Sequence, residues 1–165
     1  MARRVFYSFH YKPDCVRAAQ VRNMGVVEGN KPASDNEWES IVAGGAKAIQ
    51  KWIDNQLYGK SCNVVLIGAN TAGRKWIKYE IKTAWNDGRG VVGVYIHRLK
   101  DFEGYPSSKG RNPFDDFTMD GSDKKLSSIV KAYKPPYSES KDVYAYIRDN
   151  LEDWIEEAID IRNNH

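Results

Sequence analysis

The chain has 165 residues, of which 28% are charged and 41% hydrophobic, and its formal net charge is +3. This length suits one hydrophobic core, so we expect a single domain over residues 1–165. No stretch reaches the roughly 20 apolar residues of a membrane span, and the amino terminus lacks the apolar segment of a signal peptide. Basic residues are scattered among acidic ones, which argues against a nucleic-acid partner. We therefore predict a cytoplasmic protein with neither membrane nor nucleic acid as its partner.

Two cysteines are present, Cys15 in a predicted helix and Cys62 at the start of a predicted strand. Two isolated thiols fit neither a disulfide framework nor a metal site of the CxxC type. We expect both to be small buried hydrophobic residues, and we predict no metal site.

Strand-like and helix-like segments alternate along the first hundred residues. Val5–Phe9 is rich in aromatic and β-branched residues, as strands are. Ser34 and Glu37 have the spacing of a capping box and introduce a helical stripe of apolar residues, which Gly59 ends. The predicted elements are strands at residues 5–9, 25–27, 63–68 and 91–96, and helices at residues 14–24, 34–57, 73–87 and 141–161.

The fold class follows from this alternation. Residues 63–68 form a continuous apolar run, which is typical of a strand covered on both faces of a parallel sheet. Alternating strands and helices predict a three-layer α/β fold whose central, mainly parallel sheet has about five strands and right-handed crossovers. The segment 99–137 is long and irregular, which is unusual unless it is functional or contains hidden structure. Within it, Leu126–Val130 is predicted as an edge strand.

Ligands of open parallel sheets bind in the crevice outside the carboxyl ends of the strands. Three segments lie there by this rule, namely Ser8–Lys12, Gly68–Arg74 and the residues from His97 onward. None carries the acidic residues of a phosphoacceptor receiver domain or the phosphate loop of a flavodoxin. The chain also has no GxGxxG motif and no P-loop. These classes of nucleotide and phosphate site are excluded.

Glu80 is the carboxylate best placed for chemistry at this crevice. In the predicted helix 73–87, Ile77, Ile81, Ala84 and Trp85 form the stripe that faces the sheet, and Glu80 lies at its flank. It is in the second turn, close to the carboxyl ends of the strands, so it should be partly shielded from water. The alternative is an ordinary boundary glutamate that pairs with a neighbour on its own helix.

At this helix the sequence resembles a TIR domain, specifically the TIR-like family of bacterial Thoeris antiphage systems. The resemblance covers roughly residues 3–135, and the spacing of Trp76 and Glu80, a WxxxE pattern, is its most characteristic part. The segments that carry the match, in order, are Arg4–Tyr11, Val64–Gly68, Arg74–Ile81, Val91–His97 and Ser108–Asp115.

The resemblance implies a TIR/flavodoxin-like fold and an activity. Members of the family cleave the nicotinamide–ribose bond of NAD+, which is a substrate here and not a cofactor, and convert the ADP-ribose product into a signal that is often cyclic. That signal activates a separate effector protein, and a phage-derived trigger and self-association are further expectations. The glutamate at the matching position is the catalytic residue of active members, and in this sequence it is Glu80. The family's pocket corresponds here to Phe6, Ser8, Phe9 and His10.

Elementary chemistry makes a single carboxylate sufficient for this reaction. Ordinary glycosidases use two, because a poor leaving group must be protonated. Nicotinamide leaves NAD+ as a neutral molecule from a cationic ring, so no general acid is needed. One carboxylate can then stabilise the charge that develops on the ribose.

Further candidate substrate contacts each have a structural alternative. Phe6 and Trp76 can exclude water or belong to the core, and His10 can contact substrate or lie at the surface. Arg74 can bind a pyrophosphate at a helix start or be solvated there, and Asn112 can overhang the crevice or form a turn. A TIR-like interaction module without catalysis stays open as the alternative function, whereas a nuclease lacks a metal-ligand cluster.

Overall fold

The structure is a computed structural model that describes residues 3–30 and 35–165. Its elements follow one another as strands alternating with helices, with two short 3-10 turns at Pro113–Asp116 and Leu126–Ser128. The strands are β1 (Arg4–Ser8), β2 (Glu28–Gly29), β3 (Cys62–Ile67), β4 (Gly90–Tyr95) and β5 (Ala132–Tyr133). The helices are α1 (Tyr11–Arg22), α2 (Asp35–Ala43), α3 (Ala46–Leu57), α4 (Lys75–Asn86) and α5 (Ser140–Asn163).

The five strands form one sheet in the order β2-β1-β3-β4-β5, and all four strand pairs are parallel. Every residue of β3 and β4 is buried, which confirms their predicted central position. One side of the sheet packs on α1 and α5, and the other side packs on α3 and α4. The predicted three-layer α/β fold with a parallel five-stranded sheet is therefore confirmed.

The prediction of one continuous helix over residues 34–57 is wrong. Two helices, α2 and α3, occupy this stretch, and the break falls at Gly44 and Gly45. Gly45 has φ +84°, a backbone conformation that favours glycine and interrupts a helix. Val42, one of the apolar residues in the predicted helical stripe, is exposed. The proposed capping residue Ser34 lies outside the described residues.

Two short strands lie at positions different from those predicted. The strand expected at residues 25–27 is β2 at Glu28–Gly29, which pairs with Arg4 and Val5 of β1. The strand expected at Leu126–Val130 is a 3-10 turn, and Leu126 and Val130 are both buried, with the four-residue spacing of a helical turn. The edge strand is β5, where Ala132 pairs with Gly93.

Pro13 explains why α1 starts earlier than predicted, at Tyr11 instead of residue 14. It occupies the first helical turn, where a backbone N–H has no partner within the helix and its loss is tolerated. At the opposite end of the chain, α5 is confirmed with slightly wider bounds than predicted. Both cysteines are free; Cys62 is buried, whereas Cys15 is only partly buried.

The segment that follows β4 lies over the β3–α4 loop. Gly110 packs so closely that a Cβ atom there would be 2.2 Å from the carbonyl oxygen of Gly68. Arg17 of α1 anchors the same segment by donating hydrogen bonds to the carbonyl oxygens of Leu99 (2.8 Å) and Tyr105 (2.9 Å). The irregular segment is thus held in place over the carboxyl ends of the strands. Among residues 3–30 and 35–165, no helix is both long and apolar enough to cross a membrane.

Candidate active site

Strand alternation places part of β1 on the same side of the sheet as α4. Val5 and Tyr7 belong to the core under α1 and α5, whereas Phe6 belongs to the core under α3 and α4. Ser8 follows Phe6 on that second side, because side chains alternate along a strand. Phe6 and Ser8 therefore point toward the helix that carries Glu80.

Glu80 is more deeply buried than its position in the sequence suggests. Its side chain is in the inward row of α4 together with Ile77, Ile81 and Ala84, and the residue is 8% exposed. Trp85, predicted for that row, is only half-buried. Burial raises the pKa of the Glu80 carboxyl to about 8, and a hydrogen bond from the Ser8 side chain opposes this rise. Its Oε1 atom has no hydrogen-bond partner among the residues that the structure describes.

This desolvated carboxyl has a measurable consequence for stability. The ordinary pKa of 4.5 rises to about 8 on folding, so the folded protein holds this proton more tightly than the unfolded chain. The stability that the group contributes is fully present below pH 4.5 and is lost as the pH rises through about 8. Glu80→Gln stays neutral, so its free energy of unfolding should exceed that of the wild type increasingly as the pH rises through this window. Denaturant unfolding of both proteins at about pH 5 and about pH 9 measures the difference; an equal difference at both would contradict it.

Asn63 is a polar residue inside the otherwise apolar strand β3. Its side chain is fully buried and donates hydrogen bonds to the hydroxyl of Ser8 (2.8 Å) and the carbonyl oxygen of Phe6 (3.2 Å). Within residues 3–30 and 35–165, its Oδ1 atom has no hydrogen-bond partner. Sequence reasoning missed this residue, although an asparagine within a continuous apolar strand is a usable signal, because a buried amide needs hydrogen-bond partners.

His10 and Arg74 lie near each other where β1 and β3 end. His10 is the residue before α1, and Arg74 is the residue before α4. Burial lowers the pKa of His10, the positive charge of Arg74 lowers it further, and Asp14 opposes both. The Nδ1 atom of His10 is buried and finds no partner in the described part of the chain, whereas Arg74 is exposed. This pair offers a neutral imidazole and an exposed guanidinium to an anionic group.

The other three sequence candidates differ in their surroundings. Phe9 packs against the opposite core, under α1 and α5, and stacks on Tyr11. Trp76 lies one helical turn before Glu80; it is half-buried, packs against the core under α3 and α4, and also lines an open groove of about 810 Å³ that Glu80 does not line. Asn112 caps the turn at Pro113–Asp116 by accepting a hydrogen bond from the backbone N–H of Phe114 (2.9 Å).

His97 follows β4 and is a second residue that the sequence did not single out as a contact. It is buried, and its Nδ1 atom has no hydrogen-bond partner in the portion of the chain that the structure describes. Burial lowers its pKa to about 4, and the positive charge of Arg98 contributes in the same direction. His97 is therefore neutral at physiological pH. In residues 3–30 and 35–165, no group of three or more His, Cys, Asp or Glu side chains is placed to hold a metal ion.

Comparison with known proteins adds an independent finding. Residues 6–101 match the family model described as "Thoeris protein ThsB, TIR-like domain". Over 121 residues, the chain is 38% identical to the protein named "Putative cyclic ADP-D-ribose synthase ThsB1" from Bacillus cereus (strain MSX-D12). The match covers 70% of this chain and 62% of that relative, so the chain matches less than two thirds of the relative's length.

Proposed function

Because the chain belongs to the family of TIR-like domains of the Thoeris protein ThsB, we propose that it cleaves NAD+ and makes a cyclic ADP-ribose-type signal for antiphage defence. The name of the Bacillus cereus relative supports the type of product. The observation that carries the proposal is the Glu80 carboxyl, which is buried and lies beside Ser8 at the carboxyl end of β1.

The proposed reaction breaks the bond between ribose C1′ and the pyridinium nitrogen. The electron pair of that bond stays on the nitrogen, so nicotinamide leaves as a neutral molecule. Positive charge develops on the ribose, and the Glu80 carboxylate stabilises it in surroundings that exclude water. A nucleophilic atom of the same ADP-ribosyl group then forms the new bond to C1′, and the proton lost as this group becomes neutral passes to solvent. Exclusion of water favours this closure over hydrolysis.

Glu80 must be ionised to act in this way, although its pKa of about 8 keeps it largely protonated in the free protein at neutral pH. A cationic nicotinamide ring beside the carboxyl favours the charged form, because an opposite charge at close range lowers the pKa of an acid. Substrate binding therefore releases the proton to solvent. Since Glu80 is 8% exposed, the groups that cover it must move to admit the dinucleotide.

The proposal assigns roles to the remaining candidates. His10 and Arg74 bind the pyrophosphate, and Phe6 and Ser8 line the ribose site beside Glu80. The family resemblance keeps Phe9, Trp76 and Asn112 in the proposed binding set. Phe9 packs in the opposite core, so it requires rearrangement to reach a ligand at Glu80. The reaction needs no cofactor, since NAD+ is itself the substrate.

The wider setting is part of the same proposal. One TIR-like domain spans residues 1–165, which the packing of α5 against β3 and β4 supports. The protein acts in the cytoplasm, where its two free thiols suit a reducing environment. Its product activates a partner effector, a phage-derived trigger starts the reaction, and self-association accompanies it.

Product analysis tests the function directly. The purified protein, alone and with lysate from phage-infected cells, is incubated with NAD+, and the products are identified by mass spectrometry. We expect free nicotinamide together with a product that has the mass of ADP-ribose less one water. ADP-ribose alone would assign hydrolysis instead of cyclisation. Tight NAD+ binding without any turnover under both conditions would refute the proposal in favour of a non-catalytic module.

A further inference from the structure

Asn63 is difficult to explain as a purely structural residue. It occupies a fully buried position in the centre of the sheet, and its neighbours in β3 are apolar. Its Oδ1 atom is buried, and none of the described residues is a hydrogen-bond partner for it, which is unfavourable for stability. An apolar β-branched residue would suit the same position better. The retention of an amide there points to a role in the site.

The hydrogen bonds of Asn63 define that role. The same Nδ2 group donates to the carbonyl oxygen of Phe6 (3.2 Å) and to the Ser8 hydroxyl (2.8 Å), so the amide is fixed to β1 at two points. A hydroxyl has one proton to donate and lone pairs with which to accept. Because Asn63 occupies a lone pair of Ser8, the Ser8 proton is directed elsewhere, and the neighbouring acceptor is Glu80.

We propose that Asn63 is a positioning residue of the active site, which holds the Ser8 hydroxyl so that its proton is directed at the Glu80 carboxyl. The chain of contacts runs from β3 through β1 to α4, and hydrogen bonds in series strengthen one another. Asn63 does not contact the substrate; it acts through Ser8. This inference extends the proposed function and relies on it for the catalytic role of Glu80.

The carboxyl titration of Glu80 tests this positioning role without any substrate. In NAD+-free protein labelled with carbon-13 on glutamate side chains, NMR follows the Glu80 carboxyl signal against pH. Ser8 lowers the pKa of Glu80, so Asn63→Val should raise the titration midpoint by about half a unit or more. Asn63→Ala should do the same and serves as the second variant if valine disturbs the fold. The control is Val64→Ala, the neighbouring residue whose side chain lies in the opposite core, which should leave the midpoint unchanged.

A double-mutant cycle tests whether Asn63 changes the Glu80 titration midpoint through Ser8 or independently of it. Ser8→Ala should raise the midpoint, and adding Asn63→Val to it should change nothing further. Unchanged midpoints in the Asn63 variants, or additive shifts in the double variant, would overturn the proposal. Because these measurements use no NAD+, they remain decisive even if the protein proves not to cleave it.

An enzymatic arm applies if nicotinamide release is detected. Asn63→Val should then lower kcat with little change in KM, and the rising limb of its pH profile should move to higher pH, as the titration does. The melting temperature should change little, because the variant removes a buried oxygen without a partner among the described residues but also removes the two hydrogen bonds that Asn63 donates. Loss of activity that only parallels loss of folded protein would contradict a positioning role.

Discussion

Arg17→Met should destabilise the protein by about 3–5 kcal/mol, because it leaves a buried carboxylate without its partner. Arg17 and Asp14 are both almost fully buried and form an ion pair of 3.0 Å. Burial raises the pKa of Asp14, and Arg17 opposes that rise. Without the guanidinium, Asp14 must either take up a proton or remain charged in an apolar environment. Chemical denaturation of the variant and the wild type measures the loss.

The same substitution releases the segment after β4. Arg17 donates hydrogen bonds to the carbonyl oxygens of Leu99 and Tyr105, so it fastens residues 99–105 to α1. Hydrogen exchange in that segment should accelerate in Arg17→Met. Adding Asp14→Leu should restore part of the stability, since an apolar pair can replace a buried ion pair, but it should not restore exchange protection. A loss below about 1 kcal/mol in the single variant would show that the pair is unimportant.

The elements predicted correctly are those whose apolar pattern lies within one short, continuous segment of the sequence. The continuous apolar run of β3 and the helical periodicity of α4 and α5 are complete within the segment itself. Their bounds match the prediction to within a few residues. These elements also fix the position of the crevice, since β3 leads directly into α4.

The errors fall where structure depends on neighbours. β2 and β5 have two residues each and exist only through pairing with β1 and β4, so their own sequences carry little strand signal. Gly44 and Gly45 lie inside an apolar stripe of helical period, which hid the break between α2 and α3. Long-range packing determines these features, and a local pattern cannot report it.

In the candidate site, too, local patterns were readable from the sequence and long-range contacts were not. The helix pattern located Glu80 at the crevice, but the depth of its burial depends on the packing of α4 against other elements. The contact between Asn63 and Ser8 joins residues 55 positions apart. Trp76 both packs against the core under α3 and α4 and lines an open groove, a position that depends on how α4 packs and that periodicity leaves undefined. The place of Glu80 on its helix was therefore predictable, whereas the mutual geometry of the side chains was not.

Glu80→Gln should lower kcat for nicotinamide release by a factor of about 100 or more, the usual loss when a group that stabilises transition-state charge is removed. Glutamine has nearly the same shape but cannot carry the negative charge that opposes the ribosyl cation. The ground-state complex should form with similar affinity, because the wild type gains the attraction of the cationic ring only by giving up the Glu80 proton, and these two contributions oppose each other. Glu152→Gln, an exposed position on α5, is the matched control and should retain full activity.

The most direct test of the central claim compares nicotinamide release by the wild type and Glu80→Gln at saturating NAD+. NAD+ affinity is measured for both proteins by calorimetry, and phage-infected lysate is added if the purified wild type is silent. We predict that the variant binds NAD+ within a few-fold of wild-type affinity and releases nicotinamide at least about 100-fold more slowly. A folded Glu80→Gln protein that releases nicotinamide at nearly the wild-type rate would contradict the role assigned to this carboxyl.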